Sequence, residues 1–118
     1  MSKLENIIEA LSIHEDNDAV RILDEIGTNC EIDDVRELTA KALAKRNSEE
    51  SLNVIINHDG KGINDLSPRV VMTTINELLA LEDKENVIKV LDKTIEENEN
   101  QDVKDTASSI KALMSFTS

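Results

Sequence analysis

The chain has 118 residues, 39% of them apolar, with Phe116 the only aromatic, and a net charge of −12 from 25 acidic and 13 basic side chains. That length suits a single domain over residues 1–118 with a core that needs no metal or disulfide. A core of Leu, Ile, Val and Ala fits helices packed on helices better than a sandwich or barrel. The acidic surface repels phosphate backbones and anionic headgroups, so neither direct nucleic-acid binding nor membrane attachment is expected.

In chain order, Leu4, Ile7, Ile8 and Leu11 share one helical face, with Ser2 and Glu5 spaced as a capping box. The opening stretch is broken by Glu5, Asn6, Glu9 and Ser12, so it does not read as a signal peptide. No run approaches the length of a membrane span. Ala19, Ile22, Leu23 and Ile26 predict a second helix, with Gly27 as its C-terminal cap.

A third helix is predicted over 31–46 from Ile32, Val35, Leu38 or Thr39, Ala42 and Leu43, with Lys41, Lys45 and Arg46 toward its negative end. Ser48 is placed to cap a short fourth helix carrying Leu52, Val54, Ile55 and Ile56. Ser67 and Pro68 are a strong start signal for the fifth, which carries Val71, Ile75, Leu78 and Leu79. The sixth, over 84–98, has Val87, Ile88, Leu91 and Ile95; the seventh, over 101–116, has Val103, Ala107, Ile110 and Met114.

The second and sixth helices align at a shift of 68: Val20, Arg21, Ile22, Leu23 and Asp24 fall on Ile88, Lys89, Val90, Leu91 and Asp92. The same shift carries Asp34-Val35-Arg36 onto Asp102-Val103-Lys104. A middle unit fits at about half that shift, with Leu52, Val54 and Ile55 on Val20, Ile22 and Leu23, and Val71, Ile75 and Leu78 on Val35, Thr39 and Ala42. Three helix pairs after one extra helix are the pattern of a helical repeat array.

The aromatic positions of tetratricopeptide repeats and the ankyrin TPLHxA phrase are missing. The second helices, "DDVRELTAKAL" (33–43), "SPRVVMTTINELL" (67–79) and "QDVKDTASSIKAL" (101–113), resemble those of short HEAT-like repeats. That resemblance, over about 16–114, implies an all-α fold: a right-handed α-solenoid of about three helix pairs plus an N-terminal helix, roughly seven helices in all. It also implies a protein-binding scaffold. Some short-repeat relatives are bilin lyases, but no cofactor residues here extend that activity.

Candidate chemistry is sparse. "NHDGKGINDLSPR" (57–69) fails as a calcium EF-hand in both glycine registers, because Ile55 or Lys61 falls where a ligand belongs. It also lacks the strand and the Ser/Thr of a P-loop. It reads as a connector, or else as a partner-contact loop. His14 and His58 stand far apart with no ligand spacing around them. Cys30 has no local histidine to activate it and no partner for a disulfide, which fits a cytoplasmic setting. The acidic run at 95–102 reads as a solvated helix end or a docking strip for a basic partner.

No metal, cofactor or catalytic residue is assigned, and an enzyme is not expected. Two groups remain as partner-binding candidates. Arg36, Arg69 and Lys104 begin the second helices of the three pairs, and the HEAT-like resemblance implies that such residues pair with acids of neighbouring repeats. Leu113, Met114 and Phe116 fall together near the C-terminus, either packing onto the sixth helix or forming an exposed group where a protein partner or a second copy of the chain would dock. A basic protein partner is favoured by the charge. The competing expectation is an acidic regulator that imitates nucleic acid and blocks a nucleic-acid-binding protein.

Overall fold

The computed structural model describes residues 3–28, 30–57 and 67–117. Helix accounts for 83% of the described residues, and no strand occurs among them. The α-helices are α1 (Lys3–Ile13), α2 (Asp18–Leu23), α3 (Asp33–Arg46), α4 (Glu49–Asn57), α5 (Pro68–Leu79), α6 (Glu85–Glu97) and α7 (Gln101–Thr117).

Several helix starts follow the local chemistry read from the sequence. Ser48 Oγ accepts the Ser51 N–H at 3.1 Å, and Ser67 Oγ accepts the Val70 N–H with Pro68 just inside α5. Ser2, the other half of the capping box with Glu5, lies outside the described residues. Asn47 ends α3 in the left-handed conformation, at φ 48°.

The helices α1, α3, α5 and α7 touch in succession. Helix α2 packs on α1 and α3, α4 on α3 and α6, and α6 on α7. Ile8, Leu23, Leu43, Leu52, Leu78, Leu91 and Ile110 lie fully inside, one from each helix. Each such aliphatic side chain contributes about 2 kcal/mol of burial, which is what replaces the missing aromatics.

Two readings of the sequence need correction. Gly27 does not cap a helix that ends there. Helix α2 passes at Asp24 into a π-helical turn, Asp24–Thr28, which contains Gly27. A Cβ on Gly27 would lie 1.8 Å from Thr39 Oγ1, so glycine is required for the close approach of this turn to α3.

The second correction concerns register in the middle unit. Val70 and Thr74 are buried, whereas Val71 and Ile75 are only half-buried. Thr39 and Thr74, both nearly inaccessible, return a hydrogen bond to the carbonyl of Val35 and Val70 respectively, at 2.8 and 2.7 Å. The matching unit therefore begins one residue earlier, with Val70 on Val35 and Leu78 on Leu43. A buried threonine whose hydroxyl is satisfied four residues back behaves as a core residue, and apolar counting passes over it.

Candidate functional site

The three basic residues read as one set have three different environments. Arg36 donates from Nε to the Cys30 carbonyl, closing the turn before α3. Arg69 forms ion pairs with Asp34 and Glu37 on α3, and Thr73 Oγ1 donates to Glu37 Oε2 at 3.1 Å. The hydrogen bond to Asp34, followed by the charge of Glu37, raises the Arg69 pKa above its ordinary value. Arg69 and Asp34 both stand largely in solvent, so screening leaves this contact little weight in stability. The half-buried Lys104 makes no ion pair among the described residues. One rung is thus formed, between α3 and α5.

The C-terminal trio divides. Met114 is 3% exposed and belongs to the core, which corrects its placement in a surface group. Leu113 is 43% and Phe116 85% exposed. They lie three residues apart, Leu113 at the edge of the buried stripe of Val103, Ala107, Ile110 and Met114 and Phe116 on the side of α7 away from it. The only aromatic side chain of the protein stands in water.

Two further surfaces were not singled out from the sequence. Between α1 and α3 runs a groove of about 280 Å³. Its floor is Ile8, Ser12, Leu38 and Ala42; Glu5 and Glu9 line the α1 side, Lys41 and Lys45 the α3 side. Each helix contributes residues at i, i+3, i+4 and i+7, but their juxtaposition requires the tertiary fold.

The second surface joins α4 to α6 through amides. Asn57 Nδ2 donates to Asn53 Oδ1 and Thr94 Oγ1, both at 2.8 Å, and its Oδ1 accepts from Asn98 at 3.1 Å. Lys89 and Lys93 flank this trough.

The loop edges are also tied by polar side chains. Arg46 donates to the carbonyls of Leu11, His14 and Asp16 at the end of α1. Asn47 Nδ2 donates to the Asp83 carbonyl at 2.9 Å, and Asn86 returns a bond to the Asn47 carbonyl at 2.8 Å. Within the acidic run, Asn98 and Asn100 side chains accept the N–H groups of Asn100 and Asp102, making the turn into α7.

His14 is exposed and accepts the Asp16 N–H through Nδ1; Cys30 is a half-buried free thiol. Among the described residues, no three of His, Cys, Asp and Glu are grouped to hold a metal ion, and no helix is long and apolar enough to cross a membrane. His58 and the glycine loop, 58–66, on which the calcium and phosphate registers turned, lie outside the described residues. Comparison with family models, curated proteins and solved structures finds no match to this chain.

Proposed function

We propose that this protein is a non-enzymatic protein–protein interaction module, built as a small acidic α-solenoid of HEAT-like helix pairs and working in the cytoplasm. The succession of α1, α3, α5 and α7 supports the repeat reading, because in a solenoid each unit packs on its neighbours. The observation that carries the functional reading is the outward placement of Leu113 and Phe116 on the last helix. A folded acidic domain gains nothing by holding its one aromatic side chain in water, whereas a docked partner would cover it.

The occupant is a protein surface with a hydrophobic recess and basic surroundings; a second copy of the chain is the other candidate. A nucleic-acid mimic would need an unbroken negative stripe, and Lys41, Lys45, Lys89 and Lys93 interrupt the acidic surface.

The test is Leu113→Ser with Phe116→Ser in one chain. Light scattering and affinity capture from the source cells should show self-association or partner binding reduced, with the helical spectrum and melting temperature close to wild type. A protein that is monomeric at high concentration and captures nothing, together with a double variant that melts early, would overturn the reading.

A further inference from the structure

We propose that the outer face of the layer formed by α1, α3, α5 and α7, away from α2, α4 and α6, docks a protein partner whose contact surface is apolar at its centre and basic around its edge. The inference rests on the interaction-module reading. It extends the docking surface from α7 to the whole layer and gives the partner a chemistry.

Charge divides between the two sides of the fold. Helix α1 has one basic and two acidic residues, α3 four and three, α5 one and one, and α7 two and two. The four helices together are neutral, so the full −12 belongs to α2, α4, α6 and the connecting segments. Exposed large apolar side chains divide the other way. Among the described residues, all but Ile88 of α6 lie on the four helices or directly before one, with Ile13, Met72 and Phe116 the most open on α1, α5 and α7. An approaching protein meets no net charge on this layer and finds apolar groups to cover.

Helix phase turns these groups to one side. On α3, Thr39 faces Gly27 of the π-helical turn, and Lys41, about 200° further round, lines the groove toward α1. Met72 stands two residues from each of the buried Val70 and Thr74, and Phe116 two residues from the buried Met114, which is the same relation. Ile13 lies one turn beyond Glu9 of the groove. The four helices thus present Ile13, Lys41, Met72 and Phe116 outward.

Area requires more than α7. A standard interface takes about 800 Å² from each partner, far beyond what two side chains supply. Four helices about 9 Å apart and about 20 Å long span about 700 Å².

The ends of the layer set the charge of the partner. Glu15 and Asp16 follow α1, Glu82 and Asp83 follow α5, Glu31 precedes α3, and Glu99 precedes α7. All six are exposed, and none makes an ion pair among the described residues. Basic groups at the edge of a partner would meet them, and basic groups at its centre would not. A second copy of the chain would set acidic rim against acidic rim.

The experiment selects binders to the full chain from a displayed library of a three-helix domain with one randomised face. Selection is at about 0.15 M salt, where charges beyond about 8 Å are largely screened. Each selected domain is then titrated against wild type, Ile13→Ser with Met72→Ser, Leu113→Ser with Phe116→Ser, and Ile88→Ser. Ile13→Gln with Met72→Gln is the substitute should the serines lower the melting temperature.

Most selected domains should lose about tenfold or more in affinity for the α1–α5 variant and for the α7 variant, and nothing for Ile88→Ser. Their randomised faces should carry Leu, Phe or Met at the centre and Lys or Arg at the edge. Domains basic across the whole face would show net charge acting alone, and the proposal would be wrong. It is equally wrong if the footprint centres on Ile88, or if no domain binds at micromolar concentration. Light scattering that shows the chain alone associating through Ile13 and Met72 would make the occupant a second copy and overturn it as well. Domains sensitive to the α7 variant but indifferent to the α1–α5 variant would confine the surface to α7: the layer fails and the interaction-module reading stands. Domains sensitive to Ile13 and Met72 but indifferent to Leu113 and Phe116 would keep a docking face and remove the observation that carries that reading.

Discussion

Helices α3 and α7 open alike, "DDVRE" and "QDVKD", and the structure uses them differently. Helix α3 has α1 on one side and α5 on the other, while α7 lies at the end of that succession and leans on α5 and α6. On α3 the buried residues are Thr39, Ala40, Ala42, Leu43 and Ala44, nearly consecutive around the helix. On α7 they form one stripe: Val103, Ala107, Ile110 and Met114. Small side chains let two neighbours approach α3 closely; α7 needs only one apolar face. Place in the stack, rather than the opening motif, decides what each residue does.

The largest test of this contrast is in the core. Leu43→Ala should cost about 3 kcal/mol or more in denaturant unfolding, because packing on both sides prevents collapse of the cavity. Met114→Ala, in the last turns of an end helix that can relax, should cost about 2 kcal/mol. Equal losses would break the contrast.

Next is the contact that exists only at α3. Gly27→Ala should destabilise by about 2 kcal/mol, since the new methyl must displace Thr39. Adding Thr39→Ala should recover part of that loss, and a purely additive double variant would show that the clash is not the cause.

Smaller still is the comparison of matched basic residues. Arg36→Ala should cost about 1 kcal/mol through its bond to the Cys30 carbonyl. Lys104→Ala should stay within about 0.5 kcal/mol of wild type. The smallest effect is expected for Leu113→Ser with Phe116→Ser, also within about 0.5 kcal/mol by thermal melting, since neither side chain belongs to the core.

Much of this was legible in the sequence, for identifiable reasons. The seven α-helices could be placed because their apolar residues keep a helical period, and α5 could be started at Pro68 because Ser67-Pro68 is local chemistry. Gly27 was misread because a glycine after an apolar face looks the same whether it ends a helix or admits a neighbour. The middle register slipped because Val70 and Val71 are adjacent valines, and only the burial of Thr74 chooses between them.

Phe116 was legible as an end residue, but the inward turn of Met114 followed from helix phase, which proximity in sequence ignores. The α1–α3 groove was hidden because Glu9 and Lys41 are unremarkable charges until the fold sets them across from each other. Arg46 suits the negative end of its own helix, yet its guanidinium serves the carbonyl of Leu11 in α1 and those of His14 and Asp16 just beyond it.

That last contact has a consequence in time. Helix α1, Lys3–Ile13, is 11 residues long, shorter than the roughly 12–15 needed for even a favourable sequence to stay helical alone. The side chain that closes its end lies 35 residues beyond Leu11. At a synthesis rate of about 5–20 residues per second, that arginine is added about two to seven seconds later. Until then the α1 segment has neither its cap nor the α3 surface it packs on. Its apolar side chains, Ile8 and Leu11 among them, remain open to a chaperone through that interval.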